Sequence, residues 1–345
     1  MYKVGICGHF AEGIEHYGGQ IIKTRIIESE ISNILGSENV KKVDTYGWRK
    51  NVFKLIFRCI QLSRTCENIL FLPASNGVKV IAPMFVLLNS IFRKKLYYVV
   101  IGGWLPELLQ SNYILRKLLK KLDGIFVETH SMVQSMKELG FTNVRYLPNF
   151  KRLDILDEKD LIYHTEEPFK LCTFSRVTKE KGIEDAIEAV KKVNEHFGRV
   201  IYTLDIYGQV DKEYKEKFDI LKKQFPHYIK YKGVVNYSES VDVLKYYFLL
   251  LFPTHFTTEG IPGTIIDAYA AGLPVISAYW NSSSEVINHG ATGFIYNDKS
   301  MLEKLLLQII ENPNKINSMK KNCIKKVCNY SPEVVVKEFC DLLNL

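Results

Sequence analysis

The feature that most constrains this chain is a regular alternation of short apolar runs with longer segments of helical spacing. Over the first 147 residues, the apolar runs predict strands at 2–7, 40–46, 68–72, 96–101, 124–128 and 144–147. The intervening spacing predicts helices at 20–35, 52–63, 79–92, 113–122 and 131–139. Strands that alternate with helices in this way predict an α/β fold with a doubly wound parallel sheet.

A charged segment, KRLDILDEKDLIYHTEEP, ends at Pro168 and interrupts this alternation, so it predicts a linker between two domains. A second α/β series follows, with strands predicted at 170–175, 202–207, 228–232, 248–252 and 275–277, and helices at 182–197, 213–224, 238–246, 264–271 and 301–311. We therefore expect domains at 1–152 and 153–330. Open α/β sheets bind ligands beyond the carboxyl ends of their strands, which predicts a site where the two domains face each other.

Composition excludes several classes of protein. The chain has 345 residues, of which 47% are hydrophobic and 24% charged, close to the average of globular proteins. The N-terminus lacks the apolar core of a signal peptide, and no uninterrupted apolar run reaches the length of a membrane span. The seven cysteines form no CxxC pair, which favours a reducing cytosol over a disulfide framework or a cysteine zinc site.

Positive charge is concentrated in the first half of the chain. Residues 1–160 hold 23 Lys and Arg against 15 Asp and Glu, whereas the remainder is balanced. Such asymmetry suggests an anionic partner, either membrane lipid or nucleic acid, although a solvated basic face is the simpler alternative. The segments 52–64, 81–95 and 113–122 join apolar residues to basic clusters, as expected of a peripheral contact with anionic membrane. Alternatively, their apolar sides pack on the sheet.

The most informative motif is FPTHFTTEGIPGTIIDAYAAGLPVISA, at residues 252–278. A loop that contains Glu259, Gly260 and Gly263 leads into a helix predicted from Thr264. Amides at a helix N-terminus can bind phosphate oxygens. Glu259 and Asp267 could accept hydrogen bonds from sugar hydroxyls, or they could simply cap the helix.

Two further segments place candidate phosphate-binding groups between a strand and a helix. In FSRVTKEKG, at residues 174–182, Arg176 and Lys181 could hold a diphosphate, or they could be solvated surface charges. Gly18 and Gly19 precede the first predicted helix. No GxGxxG follows the first strand, so a dinucleotide-binding fingerprint is not supported.

Together these motifs resemble a known family. The pattern SRxxKEKG, then IYG at 206–208, YKGVV at 231–235 and FPTxxxxEGIPGTIIDAxAxGLPVI, resembles the retaining glycosyltransferases of family 4, or glycosyl transferases group 1. The segment LDGIFVETHSMVQSMKELGFTNVRYLPNF, at 122–150, is similar to the same family. The resemblance implies the GT-B fold, in which two Rossmann-like domains face each other across a cleft. It also implies that the first domain binds the acceptor, the second binds the donor, and a last helix at 331–345 returns to the first domain.

The resemblance also implies residue roles. Arg176 and Lys181 match the pair that neutralises the donor diphosphate, and Glu259 matches the carboxylate that contacts the donor sugar. Asp267 matches a glutamate that holds the ribose, and its shorter side chain leaves room for a bridging water. These residues are therefore the catalytic and ribose-binding candidates. The remaining donor-binding positions implied are Gly18, Gly19, Gly208, Gly233, Val234, Gly260, Ile261, Gly263 and Thr264.

The sequence departs from the family pattern at one place. Many members carry a histidine after the fourth strand of the first domain, where this chain has Gly102 and Gly103. The acceptor-side candidates there are these two glycines, Trp104 and Glu107. A departing phosphate oxygen can take the acceptor proton in a retaining front-face reaction, which would dispense with a protein base.

The predicted function is transfer of a hexose, with retention, from a nucleotide diphosphate donor to a glycan or lipid-linked saccharide in surface polysaccharide biosynthesis (capsule, exopolysaccharide or lipopolysaccharide). We expect a UDP-sugar donor, no obligatory metal ion or other cofactor, no nucleic acid partner, and a cytoplasmic location at the inner face of the plasma membrane. The alternatives are a UDP-sugar 2-epimerase or hydrolase of GT-B fold, and a non-enzymatic basic module that binds membrane or nucleic acid.

Overall fold

The computed structural model describes residues 1–13, 18–343 and 345. The internal contacts of the chain divide it into two units. The first unit comprises Met1–Arg152, Thr258–Gly263 and Asn329–Leu345, and the second comprises Leu153–Thr257 and Thr264–Cys328. Thr258–Gly263, which lies within the predicted donor domain in sequence, is thus part of the first unit.

The first unit is built on a six-stranded parallel sheet with the order β2-β1-β3-β4-β5-β6. Its strands are β1 (Tyr2–Gly8), β2 (Val40–Asp44), β3 (Cys66–Leu72), β4 (Lys95–Val99), β5 (Gly124–Val127) and β6 (Val144–Tyr146). Its helices are α1 (Gly19–Leu35), α2 (Val52–Thr65), α3 (Ser75–Phe92), α4 (Leu105–Ser111), α5 (Tyr113–Leu119), α6 (His130–Glu138) and, at the end of the chain, α14 (Pro332–Leu343).

Helices cover both faces of this sheet because neighbouring residues of a strand point to opposite sides. On one side, Ile6 and Leu70 join a buried cluster with Ile27 of α1 and Phe339 of α14. On the other side, Phe71 packs in a second cluster with residues of α2 and α3. Burial on both faces explains why the strands read as continuous apolar runs rather than alternating ones.

The second unit is also built on a six-stranded parallel sheet, with the order β12-β11-β10-β7-β8-β9. Its strands are β7 (Phe169–Phe174), β8 (Tyr202–Tyr207), β9 (Ile229–Gly233), β10 (Leu249–Phe252), β11 (Val275–Ala278) and β12 (Gly293–Tyr296). Its helices are α7 (Ile183–Phe197), α8 (Lys215–Lys223), α9 (Ser240–Leu244), α10 (Gly263–Ala270), α11 (Ser283–Val286), α12 (Ser300–Glu311) and α13 (Asn314–Val327).

Most predicted elements begin and end within a few residues of their observed bounds, but α4, α11, α13 and β12 were not predicted. α11 and β12 have only four residues each, and β12, unlike the equally short predicted strands β10 and β11, begins with a glycine. The sequence of α13, NKINSMKKNCIKKV, is dominated by Lys and Asn. Its buried side nevertheless contains apolar residues such as Ile316 and Cys323 at helical spacing. The polar composition of the segment as a whole hides this spacing.

Candidate active site

Three neighbouring strands of the second unit carry predicted donor-binding residues at their carboxyl ends. Arg176 follows β7, Gly208 follows β8, and Gly233 ends β9. The Gly208 N–H donates to the Gly233 carbonyl oxygen over 2.8 Å, and the Val177 N–H donates to the Gln209 carbonyl oxygen over 2.9 Å. The structure therefore brings these positions together at the edge where open α/β sheets bind ligands.

A glycine is required at position 208 because the backbone there lies directly against that of Ser175. Its φ is +127°, and a Cβ at this position would collide with the carbonyl oxygen of Ser175 and lie 3.3 Å from the Arg176 nitrogen. Any side chain at Gly208 would therefore displace the segment that carries Arg176. Beyond β9, the Val234 side chain is 66% exposed, so an apolar surface borders this edge of the sheet.

The two predicted diphosphate-binding cations have different surroundings. Arg176 is exposed in the loop after β7. Lys181 ends a short 3-10 turn, and its Nζ lies 5.0 Å from the centre of the Phe252 ring and 5.1 Å from that of Phe256. Attraction between the ammonium and these rings holds Lys181 beside the loop that follows β10. The guanidinium of Arg176 is accessible to an anionic ligand.

Helix α10 begins against the end of β7. The Thr264 hydroxyl donates to the Phe174 carbonyl oxygen over 2.6 Å. Asp267, one turn further along the helix, is 4% exposed, and its Oδ1 accepts a hydrogen bond of 3.1 Å from the Ser240 hydroxyl at the start of α9. The short Asp267 side chain thus contacts a neighbouring helix, and its contact with a ribose stays a prediction.

The loop Thr258–Gly263, which carries Glu259, is held by residues of the first unit. The Gly103 N–H donates to the Thr258 carbonyl oxygen over 3.1 Å, and the Asn149 side-chain amide donates to the Ile261 carbonyl oxygen over 2.9 Å. The predicted sugar-contacting loop and the predicted acceptor-side glycines are therefore neighbours within one unit.

Gly103 is the second position where only glycine fits. A Cβ there would lie 2.5 Å from the Thr258 carbonyl oxygen and 2.7 Å from that of Glu259. A side chain at Gly103 would thus push away the backbone that carries Glu259. Where many family members carry a histidine, this chain has Gly102 and Gly103, and the Gly103 backbone packs against the loop that carries Glu259.

A buried ion pair supports the same loop, and sequence reasoning missed it. Lys23 of α1 and Glu128, just after β5, lie 2.7 Å apart with side chains 2% exposed each. The second carboxylate oxygen, Oε2, accepts a hydrogen bond of 3.1 Å from the Ile261 N–H, and Gly260 lies against the same oxygen. Lys23 and Glu128 therefore position the loop, because a buried charge is stabilised only by its partners.

One signal in the sequence could have revealed this pair. Lys23 is three and four residues before Ile26 and Ile27, so it lies on the apolar side of α1. Glu128 immediately follows the apolar strand β5, where a carboxylate needs a partner. A lone cation on an apolar helix face and a lone carboxylate at a strand end together predict such a pair.

The Gly18-Gly19 pair begins helix α1. The Gly18 carbonyl oxygen accepts hydrogen bonds from the N–H groups of Ile21 and Ile22, at 2.9 and 3.1 Å. Both glycines are exposed, and the four residues that precede them lie outside the described part of the chain. Their contact with a diphosphate stays a prediction.

The remaining acceptor-side candidates follow β4. Gly102 has a φ of +85° and lies against the edge of the Trp104 ring. The Trp104 Nε1–H donates to the Ile101 carbonyl oxygen over 2.8 Å, which fixes the orientation of the half-buried ring. Glu107 is exposed in the first turn of α4. Its carboxylate is therefore accessible, unlike the indole N–H.

Lys151 is a further cation that was not singled out in the sequence. Its Nζ lies 4.0 Å, and its Cδ 3.4 Å, from the point where a Cβ of Gly263 would stand. Gly263 is the first residue of α10, so the Lys151 side chain lies beside the residue at which this helix begins. This lysine begins the charged linker, where no motif distinguished it from the other charged residues. Among the described residues, no group of three or more His, Cys, Asp or Glu side chains could hold a metal ion.

A comparison with protein families identifies the second half of the chain. The model of the family "Glycosyl transferases group 1" matches residues 157–326. This half of the chain belongs to that family. The predicted recognition is thereby confirmed, and the match covers the second-unit cluster of Arg176, Gly208 and Gly233.

Curated relatives match over part of their length. Alpha-monoglucosyldiacylglycerol synthase of Acholeplasma laidlawii is 28% identical over 188 residues, which cover 54% of this chain and 46% of that protein. The amylovoran biosynthesis glycosyltransferase AmsK of Erwinia amylovora is 28% identical over 153 residues, which cover 41% of this chain and 36% of that protein. The chain thus spans less than half the length of these two relatives.

Solved structures resemble the whole chain. The Anabaena protein Alr3699/HepE, solved in complex with UDP-glucose, has a TM-score of 0.76 with 14% sequence identity, and the match covers 100% of both chains. Sucrose-phosphate synthase of Thermosynechococcus elongatus has a TM-score of 0.77 with 12% identity, over 100% of this chain and 98% of that one. At these identities the likeness shows the fold, and it confirms the predicted GT-B class.

Proposed function

We propose that this glycosyl transferases group 1 protein is a retaining glycosyltransferase that moves a sugar from UDP-sugar to a saccharide acceptor. The observation that carries the proposal is the cluster of Arg176, Gly208 and Gly233 at the carboxyl ends of three adjacent strands. It lies in the half of the chain that belongs to the family. Backbone groups and an accessible guanidinium at such an edge suit a nucleoside diphosphate.

The chemistry of the leaving group assigns the roles. The bond between the sugar C1 and the phosphate oxygen breaks, and a bond between C1 and the acceptor oxygen forms on the same face. The acceptor proton passes to the departing phosphate oxygen, so nothing else is consumed. Arg176 and Lys181 stabilise the negative charge that develops on the diphosphate, and Glu259 contacts the donor sugar.

The names of similar proteins support the donor and acceptor classes. The Anabaena neighbour was solved with UDP-glucose. One relative is named for a glucosyldiacylglycerol and another for amylovoran biosynthesis. We propose a UDP-sugar donor, a glycan or lipid-linked acceptor in surface polysaccharide assembly, and a location in the cytoplasm at the inner face of the plasma membrane.

We also propose that the cations replace a metal ion at the diphosphate. Arg176 and Lys181 supply two positive charges, and the amides at the start of α10 add partial charge. Transfer should then continue in the presence of EDTA at the rate measured without it. Activity that EDTA abolishes and Mg²⁺ or Mn²⁺ restores would contradict this part of the proposal.

Donor binding is tested by calorimetric titration of UDP, GDP and ADP into the wild-type protein. We expect UDP to bind, and Arg176→Ala to weaken its binding by about 100-fold, since charged hydrogen bonds to a ligand contribute about 1.5–3 kcal/mol each. Arg199→Ala is the matched control, because Arg199 is also in the second unit but pairs with Glu167 on an exposed surface. It should bind UDP as the wild type does.

Two outcomes would contradict the proposal. Binding of none of the three nucleotides would remove the donor site, and equal loss in both variants would show that Arg176 has no specific role. Release of UDP from a UDP-sugar without any acceptor, at the rate seen with acceptor, would favour the epimerase or hydrolase alternative.

A further inference from the structure

Helix α2 is apolar on the side that faces away from its own sheet. Leu55, Cys59 and Leu62 are at most 5% exposed and pack into the unit. Phe53 and Phe57, four residues apart, lie on the opposite side of the helix and are 86% and 60% exposed. Two outward phenylalanines one turn apart are unusual on a helix whose other side already forms the core.

Helix α3 repeats this arrangement. Val78, Ile81 and Phe85 are at most 3% exposed and form the side that packs on the sheet, whereas Leu87 and Ile91 are both 70% exposed on the other side. By length and composition alone, this helix of 18 residues is long and apolar enough to cross a membrane. Only 22% of its residues are buried inside the protein. The helix begins at Ser75, four residues before its predicted start.

Helix α5 completes the surface. It contacts α3, which in turn contacts α2, so the three helices are neighbours on one side of the first unit. Tyr113 and Ile114 at its start are 57% and 73% exposed. We call the outward sides of α2, α3 and α5 the apolar-basic face, with Phe53, Phe57, Leu87, Ile91 and Ile114 as its apolar residues.

Positive charge surrounds these apolar residues. Residues 45–122, which contain all three helices, hold thirteen Lys and Arg but only two acidic residues, Glu67 and Glu107. Lys95 pairs with Asp123 over 3.2 Å. Within the described residues, the structure shows no carboxylate partner for the other twelve cations. The three helices themselves contribute six of these cations and no carboxylate, so the surface that they form is both apolar and cationic.

We propose that the apolar-basic face docks on an anionic lipid bilayer, with α2, α3 and α5 lying along the surface. Phe53, Phe57 and Leu87 enter the boundary between headgroups and acyl chains, while the surrounding cations contact lipid phosphates. Docking deepens the proposed location at the inner face of the plasma membrane. It requires neither a nucleotide sugar nor an acceptor, so its failure is distinguishable from failure of the proposed activity.

The observations favour this partner over others. A second copy of the chain would bring two strongly positive faces together, which repel. A nucleic acid would pair with the cations but leave Leu87 and Ile91 in water. The core side of α3 is part of the first unit, so this helix lies along the bilayer rather than across it.

The test is sedimentation of the full chain with vesicles. One set is phosphatidylcholine alone, and the other is phosphatidylcholine with phosphatidylglycerol. We expect the wild-type protein to bind the anionic vesicles and to remain in the supernatant with the neutral ones. High salt should weaken the binding, because screening shortens the range of the lipid charges.

Two sets of variants separate the contribution of the apolar residues to vesicle binding from that of the cations. The triple variant Phe53→Ser, Phe57→Ser and Leu87→Ser should bind anionic vesicles about tenfold more weakly or worse, since it loses the inserted apolar area. The triple variant Arg58→Gln, Lys79→Gln and Lys117→Gln should lose binding to a similar degree. The matched control is Ile220→Ser with Lys222→Gln and Lys223→Gln on α8, where Ile220 is 56% exposed. It should bind as the wild type does.

A second measurement does not depend on loss of binding. Phe53→Trp should be quenched by lipids brominated on their acyl chains, whereas Ile220→Trp should not be quenched. Three results would overturn the proposal: no binding of the wild type to anionic vesicles, equal loss in the α8 control, or no quenching of Phe53→Trp by lipid. Dissociation of a dimer in the serine variant, without a change in vesicle binding, would assign the face to a second copy instead.

Discussion

In both units, outer helices pack on a parallel sheet, but the side chains that they expose differ. In the second unit, α7 and α12 pack together, and several charges on and beside them are paired. Lys192 lies 3.0 Å from Glu188 and 3.6 Å from Glu303, and Lys299 lies 2.7 Å from both Asp185 and Glu188. In the first unit, α2 and α3 contain no acidic residue and expose phenylalanine and leucine instead.

The difference shows that a fold does not dictate its outer surface. Both units are parallel sheets covered by helices, and both have extensive buried cores. Exposed charges suit a face in contact with water because each ion keeps its hydration, and pairing them adds little. A contiguous exposed apolar surface is unfavourable in water, so that of α2 and α3 indicates contact with something else.

The largest expected effect on the free energy of unfolding comes from the buried ion pair of the first unit, Lys23 with Glu128. Glu128→Ala should lower the free energy of unfolding by about 3–5 kcal/mol, because it leaves Lys23 buried without its partner and removes the acceptor for the Ile261 N–H. Urea denaturation measures the loss. Glu303→Ala, which breaks an exposed pair of the second unit, is the matched control and should cost about 0–1 kcal/mol. Equal losses would refute the distinction between a positioning pair and a surface pair.

A core substitution of similar size tests the two sides of α3 separately. Phe85→Ala should cost about 3–5 kcal/mol, since it opens a cavity beneath the helix. Leu87→Ala, two residues away on the exposed side, should change the free energy of unfolding by about 0.5 kcal/mol or less. Chemical denaturation of both variants gives the comparison. If Leu87→Ala cost as much as Phe85→Ala, the outer side of α3 would be part of the core.

The second unit should respond to acid through a half-buried histidine. Burial, aided by the charge of Lys320, lowers the pKa of His164 to about 4 from its ordinary value of 6.5. Below pH 6.5 the unfolded chain takes up a proton that the folded chain refuses until about pH 4, so the free energy of unfolding should fall as the pH decreases between these values. His164→Leu should flatten this slope in denaturation curves recorded from pH 7 to 4. The exposed His227→Leu should keep the wild-type slope, and a slope unchanged in both would contradict the prediction.

The smallest effect concerns the exposed pairs themselves. Lys192→Ala should change the free energy of unfolding by about 0.2–1 kcal/mol, and high salt should reduce this difference further. Thermal unfolding at low and high salt measures it. A salt-independent loss above this range would show that the paired surface of α7 and α12 stabilises the second unit substantially.

How far the sequence predicts the molecule depends on whether a signal is local. The alternation of apolar runs with helical spacing is local, and it predicted eleven of the twelve strands and helices that the structure describes from β1 to β6, as well as the strands that precede Arg176 and Gly208. By contrast, β12 has only four residues and begins with a glycine. The many lysines of α13 hide the helical spacing of its apolar residues.

The missing parts of the candidate site are non-local. Lys23 and Glu128 are 105 positions apart, and their pairing follows from the third dimension rather than from a motif. Thr258–Gly263 lies between elements of the second sheet in sequence, yet its backbone is held by Gly103 and Asn149. Lys151 begins the charged linker, where no motif distinguishes it from the other charged residues. Motif spacing indicates which residue types are present, and packing decides which of them meet.

The most direct test of the account is transfer of labelled sugar. Membranes and their extracted glycans serve as the acceptor, UDP-sugars labelled in the sugar serve as donors, and wild type is compared with Arg176→Ala and Arg199→Ala. We predict that label moves into glycan or lipid with the wild type and Arg199→Ala, and that Arg176→Ala is slower by about 100-fold or more. Equal transfer by Arg176→Ala would contradict the role proposed for Arg176 at the diphosphate. No transfer by the wild type from any UDP-sugar would contradict the proposed UDP-sugar glycosyltransferase activity.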